Sequence, residues 1–241
     1  MSSCSSICST ISHIAIAIDG PSGAGKSSLA KSLAEKLGFL YLDTGALYRT
    51  VGLYVCESGI SGDETKKIED CVGSGDINID VVYKDGEQKV FLNGEDVSVK
   101  IRENHISKYA SDVSKIPKVR AFLLKTQKET AEKNNIIMDG RDIGTVILPN
   151  ADVKIFLTSS PEERARRRYE ELTEKGQNVD YAAILREINE RDRQDSNRDA
   201  SPLKPAEDAV ILDNSDCNAP VDTLNKAINI IKEILPDVCI R

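Results

Sequence analysis

The chain contains no tryptophan, and aromatic residues make up only 5% of it. That scarcity argues against a surface on which nucleic-acid bases stack in series. Histidine is almost as rare, with only His13 and His105. The six cysteines, at positions 4, 8, 56, 71, 217 and 239, form no C-x-x-C pair. A zinc site is therefore not expected, and the thiols read as reduced groups of a cytoplasmic protein. An excess of positive charge is also missing. The formal net charge is −7, so the counterion-release term behind non-specific binding to nucleic acid or anionic membrane is absent. No apolar run approaches the ~20 residues of a membrane-spanning helix. The first twelve residues, MSSCSSICSTIS, carry neither the basic nor the apolar segment of a secretory signal. They read as a disordered extension before a single domain at 13–241.

What is present is an ordinary globular composition, 40% hydrophobic and 29% charged over 241 residues. A chain of this length buries roughly 70–75% of its unfolded surface, enough for one sizeable core with satellites. Its most informative stretch is IAIAIDGPSGAGKSSLAKSLAEKL, residues 14–37. The Ile/Ala run suits a buried parallel strand. Gly20-Pro21-Ser22-Gly23-Ala24-Gly25-Lys26-Ser27 matches G-x-x-x-x-G-K-[ST] at every fixed position. Leu29, Leu33 and Leu37 then recur at helical spacing. Strand, glycine turn and helix together form a phosphate cradle: backbone N–H groups converge on an anion, and the helix presents its positive end to it. Lys26 is placed to reach terminal phosphates, and the Ser27 hydroxyl to ligate magnesium. A plain glycine-rich connection would leave the Lys-Ser pair at the helix start unexplained.

The rest of the chain alternates strand and helix with one interruption. Phe39–Leu42 reads as a strand, with Asp43 or Thr44 capping the helix that carries Arg49. On its own, Arg49 would be a solvated helix residue. A polar helix is expected over about 64–72. From Gly73 the pattern becomes short and alternating, with strands near 77–83, 89–92 and 95–99 and a two-residue Asn93-Gly94 hairpin turn. This is a small antiparallel sheet inserted into an α/β chain. Pro117 starts a fresh helix holding Arg120 in its first turn, where a cation gains nothing from the helix dipole. Ile136-Ile137-Met138-Asp139 has the shape of the second nucleotide-binding strand. Gly140-Arg141-Asp142-Ile143-Gly144 follows at its carboxyl end, where open α/β sheets place ligands.

After a strand at 153–158, Ser160-Pro161-Glu162-Glu163 forms a capping box with proline at the first helical position. That helix holds Arg164, Arg166, Arg167 and Arg168, balanced by glutamates, and Gly176 ends it. A second helix starts near Asp180. Its Arg191, Asp195 and Arg198 are spaced i, i+4, i+7 and are expected on one face. Two guanidiniums flanking a carboxylate suit a phosphorylated sugar, although the same charges could simply pair with one another. A strand at 210–213 and a helix over 222–235 complete the chain.

IDGPSGAGKSS, YLDTGALYR, MDGRDIGTV, KIFLTSSPEERARRR and ERDRQDSNRDASPL, in this order, make the chain resemble the bacterial-type cytidylate kinases from about Ile14 to Leu235. The resemblance implies a P-loop NTPase-type α/β core, a parallel sheet with helices on both faces. It also implies a small nucleoside-monophosphate-binding insert at about 73–107 and an Arg-rich lid at about 164–180. By the same resemblance, Gly20 to Ser28 hold ATP phosphates, and Arg167 and Arg168 close over ATP. Thr44, Arg49, Arg141, Arg191 and Arg198 surround the acceptor phosphate and sugar, and Asp195 accepts from the sugar hydroxyls. Ser111, Arg120 and Asp142 read the cytosine edge. A carboxylate such as Asp142 rewards the exocyclic amine of cytosine and repels the oxygen uracil carries there. The catalytic set is then Lys26, Arg141, Arg167 and Arg191, with ATP and Mg2+, acting on CMP and dCMP in a monomer. Two departures are visible. The loop ends Lys-Ser-Ser where many relatives have threonine last, and the Ser/Cys-rich start has no counterpart. A kinase for another small acceptor, such as UMP or shikimate, is the alternative. A nucleotide switch is disfavoured by the absence of N-K-x-D.

Overall fold

The computed structural model describes residues 13–84, 87–198, 201–217 and 219–240. The expected N-terminal extension and the tip of the 84–87 turn lie outside them. Five strands form one parallel sheet: β1 (Ala15–Asp19), β2 (Leu40–Asp43), β6 (Ile136–Gly140), β7 (Val153–Thr158) and β8 (Val210–Asp213), in the order β2-β6-β1-β7-β8. A second, antiparallel sheet holds β3 (Ile79–Lys84), β4 (Glu87–Leu92) and β5 (Glu95–Asp96). The helices are α1 (Lys26–Leu37), α2 (Thr44–Glu57), α3 (Thr65–Ser74), α4 (Ile106–Val113), α5 (Pro117–Glu132), α6 (Pro161–Glu174), α7 (Tyr181–Asn197) and α8 (Pro220–Ile234).

The period-two geometry of a strand sorts the core into layers. Ile16 and Ile18 of β1 are fully buried on the face covered by α1 and α8, with Ile137, Ile155 and Leu157 beside them. Ala17, Ile136 and Met138 face the opposite way, onto Ile143 and Ile147. Both faces are covered, which is why these strands read as continuous apolar runs and not as alternating ones. A third cluster ties α2, α4 and α5 to the small sheet through Leu47, Val51, Val90, Ile106, Val113 and Leu123. Gly52 makes that packing close: a β-carbon there would lie 2.8 Å from the backbone nitrogen of Ala110. The gap brings α4 and its Ser111 against α2.

The local signals placed most boundaries. Asp43 caps α2 by accepting from the Ala46 N–H (2.9 Å), Ser160 caps α6, and Asp180 caps α7. Asn93 and Gly94, both at positive φ (51° and 86°), make the hairpin turn. Three details differ from the sequence expectation. The second strand sits one residue later, at 40–43. The third hairpin strand is short, Glu95–Asp96, with one further backbone bond from the Val97 N–H to the Val90 carbonyl (3.0 Å); the Val90 N–H is taken by the Ser98 hydroxyl (3.0 Å). Arg198 lies just beyond the last turn of α7 in extended backbone (φ −71°, ψ 140°), so it does not share a helix face with Arg191 and Asp195.

Candidate active site

The sheet order reverses at β1, whose neighbours β6 and β7 lead away in opposite directions. The crevice at such a switch point is where an open α/β sheet binds ligands. Here it is a cleft of about 350 Å3 whose lining includes Lys26, Ser27 and Ser28 from the first turn of α1 and Asp43, Thr44, Tyr48 and Arg49 from the β2–α2 junction. Ser111 and Arg120 line it from α4 and α5, Asp139, Arg141 and Asp142 from the end of β6, and Arg191, Asp195 and Arg198 from the end of α7.

The turn after β1 is shaped by close approach. Gly20 has φ 150°, and a β-carbon on it would sit 1.9 Å from the Leu157 carbonyl oxygen of β7. Only glycine lets the chain leave the sheet there. The Lys26 ammonium folds back and donates to the Pro21 carbonyl (2.7 Å). Burial, and secondly the charge of Arg141, push its pKa well below the usual lysine value. The Ser27 hydroxyl donates to Asp139 Oδ2 (2.8 Å), and the Tyr41 hydroxyl donates to Asp139 Oδ1 (2.9 Å). Burial, then the charge of Asp43, raises the Asp139 carboxyl to about 6. A hydroxyl and a buried carboxylate held by neutral donors form a hard-oxygen pair of the kind magnesium accepts.

Facing this donor side is a dense group of guanidiniums. Arg141 Nε donates to Asp195 Oδ2 (2.9 Å), and Arg198 lies 3.9 Å from Asp195 Oδ1. Burial opposes ionisation of Asp195, but the charges of Arg141, Arg198 and Arg191 outweigh it and hold its pKa below the usual aspartate value. Burial lowers the pKa of Arg49, Arg191 and Arg198. Two donors here, Arg191 Nε and Arg198 Nη2, are buried with no partner among the described residues. An unmet buried donor is costly, and both side chains belong to the cleft lining. Deeper in, Arg120 pairs with Asp142, donates to the Ser114 carbonyl (3.3 Å) and lies 5.7 Å from the centre of the Tyr48 ring. Thr44 donates its hydroxyl to the Asp139 carbonyl (2.8 Å).

Residues 16–233 match the family model described as cytidylate kinase. The chain belongs to the cytidylate kinase family. It is 51% identical to the cytidylate kinase of Caldicellulosiruptor bescii over 222 residues, 92% of this chain and 97% of the relative. It is 53% identical to that of Caldanaerobacter subterraneus subsp. tengcongensis over 203 residues, 84% and 88% respectively. The cytidylate kinase of Fervidobacterium nodosum is 47% identical over 221 residues, 92% of this chain and 97% of that one.

Within this cytidylate kinase fold, the arginines of α6 pair with neighbouring side chains and backbone. Arg167 and Arg168 are not among the cleft-lining residues. The Arg167 guanidinium donates to Glu163 (2.9 Å) and to the Asn214 carbonyl (2.8 Å), while Arg168 donates to Glu171 (2.8 Å) and to the Asn104 side chain (3.3 Å). Arg164, 2% exposed, is a brace: it donates to the Ser159 and Ser22 carbonyls (3.0 and 2.9 Å) and pairs with Asp192. Asn214, which accepts from Arg167, holds the turn from another side: its amide donates to the Ala24 carbonyl (3.0 Å).

Several groups in or beside the cleft have contacts that the sequence does not show. Asp43 had been given only its capping function, yet its second oxygen meets Arg102 from the small-sheet segment (2.7 Å). Gln88 of β4 also grips the Asp43 backbone, accepting from its N–H (2.7 Å) and donating to its carbonyl (3.3 Å). Asp139 was legible as the acid ending a strand, but its partner Tyr41 was not. Tyr48 stood visible inside the YLDTGALYR motif. Among the described residues no helix is long and apolar enough to cross a membrane.

Proposed function

We propose that this chain catalyses in-line transfer of the ATP γ-phosphoryl group to CMP and dCMP, yielding the corresponding diphosphates and ADP. A member of the cytidylate kinase family is a kinase, and ATP is the phosphoryl donor of that family. The observation that carries the acceptor reading is the pair of unpartnered buried donors on Arg191 and Arg198, within a cleft that also holds Arg49, Arg141 and Lys26. Such a group calls for a phosphorylated ligand opposite the donor turn.

In this reading Gly20 to Ser28 wrap the ATP phosphates, with Lys26 turning from the Pro21 carbonyl to the terminal phosphates. Thr44, Arg49, Arg141, Arg191 and Arg198 hold the acceptor phosphate, and Asp195 takes the sugar hydroxyls. Ser111, Arg120 and Asp142 read the cytosine. The acceptor is already an anion at neutral pH and needs no strong base, so catalysis is positioning and charge neutralisation in a closed site. Ser27 and Asp139 would hold Mg2+, which supplies charge neutralisation on the bound phosphates. Arg167 and Arg168 reach ATP only if α6 and the segment to 180 move as a lid; such closure also keeps water out. The segment 73–107 is the acceptor-binding insert of a single domain at 13–241, which works as a cytoplasmic monomer.

An ADP-coupled assay over CMP, dCMP, UMP, AMP and shikimate tests the reading. Preferred turnover of CMP and dCMP is expected. Turnover of UMP or shikimate at equal or higher kcat/KM would overturn it.

A further inference from the structure

Asp19 ends β1 immediately before the donor turn, and no role in either ligand site has been given to it. It is 5% exposed, and both its oxygens are engaged across the sheet. Oδ1 accepts from the Ile143 N–H (2.8 Å) and Oδ2 from the Gly144 N–H (2.7 Å). Those two amides open the single wide turn Ile143–Ile147, which follows directly on Arg141 and Asp142. In register, Asp19 lies opposite Gly140 of β6. The carboxylate thus ties the loop after β6 to the last residue before Gly20. A buried carboxylate has a large desolvation cost, and burial raises this one to about 6. An apolar residue could fill the same space, but it could not accept from both amides.

We infer that Asp19 is a positioning residue for acceptor recognition, acting through the Ile143 and Gly144 amides to fix Arg141 and Asp142 relative to the donor turn. The inference rests on the proposed kinase reading of the cleft. Its action is indirect, because Asp19 is not among the residues that line the cleft. It sets the distance between two loops, and a small misplacement of reacting groups is expensive in rate.

The test uses the full chain, with CMP and UMP as acceptors, and ATP affinity measured separately by calorimetry. Asp19→Asn keeps the volume but offers an amide that can accept from only one of the two N–H groups. The unmet amide should lower kcat/KM for CMP about 5- to 150-fold. The loss should fall mainly on KM for CMP and on the CMP-to-UMP ratio, with ATP affinity held within about threefold. Gly144→Ala perturbs the same anchor from the other side, since its β-carbon would lie 3.1 Å from Lys154 Cδ and 3.4 Å from Asp19 Oδ2. It should show the same split, and the double variant should be no worse than the more severe single one. If Asp19→Asn does not fold, Gly144→Ala decides by the same criterion. Weakened ATP binding equal to the loss for CMP would overturn the inference, because Asp19 would then shape only the donor turn. Unchanged kinetics toward CMP would also overturn it. The wild-type acceptor panel, run alongside, separates failure of the kinase reading from failure of this role.

Discussion

Asp142→Ala separates what the cleft does for recognition from what it does for stability. Asp142 is 3% exposed and pairs with Arg120, whose side chain is only 11% exposed. Removing the acid leaves a largely buried guanidinium with the Ser114 carbonyl and the face of Tyr48. Breaking a buried pair costs about 3–5 kcal/mol. The two surviving contacts argue for the lower end, about 3 kcal/mol. At about 2–4 °C per kcal/mol for a domain of this size, Tm should fall by roughly 6–12 °C. On the proposed role of Asp142 as the acceptor for the cytosine amine, its loss removes about 1.5–3 kcal/mol and should reduce the CMP-to-UMP ratio of kcat/KM by about 10- to 150-fold. The double variant Arg120→Met with Asp142→Ala divides the two effects. Replacing both members of a buried pair by apolar groups is often neutral, so Tm should recover while discrimination stays lost. Thermal unfolding by circular dichroism and the coupled kinetic assay read the two quantities. A CMP-to-UMP ratio in Asp142→Ala within twofold of wild type would refute the reasoning, whatever happens to Tm.

Two further outcomes are expected. Arg164→Ala removes the brace to Ser22 and Asp192, so KM for ATP should rise more than KM for CMP in steady-state kinetics; a lysine cannot restore the two-pronged contact. For pH, Asp19 is raised from 3.8 to about 6 by burial. Between those values the folded protein keeps a proton that the unfolded chain gives up. The group therefore adds stability that is fully present below about 3.8 and gone above about 6. Denaturant midpoints should show the stability of wild type relative to Asp19→Asn declining as pH rises from 4 to 7. A difference that stays flat would mean the carboxyl is not raised.

Local signals carried the architecture. The glycine turn, the proline at the start of α6, the caps Asp43 and Asp180, and the Asn93-Gly94 turn each act within a few residues, and each was readable from neighbouring letters. The cleft was legible to the extent that Arg49, Arg141, Asp142 and Asp195, which line it together, sit in distinctive strings. What could not be read are contacts between distant parts of the chain. Tyr41 meets Asp139 only because β2 lies beside β6. Asp19 meets Gly144 across 125 positions. Arg164 stood among four arginines of one helix, and nothing in the sequence separates the buried brace from Arg167 and Arg168, which pair near the surface. Arg198 kept its place in the cleft although the helix expected to carry it stops one residue earlier.

The central position of β1 has a consequence for biosynthesis. This strand leaves the ribosome well before both its neighbours, residues 136–140 and 153–158, are made. At about 5–20 residues per second, the nascent segment waits on the order of ten seconds for a partner. During that time its Ile16 and Ile18 have no sheet to join, and the lysine turn has no fixed shape. A truncated chain ending before residue 136 should therefore be unable to grip nucleotide and should depend on chaperones to stay unaggregated.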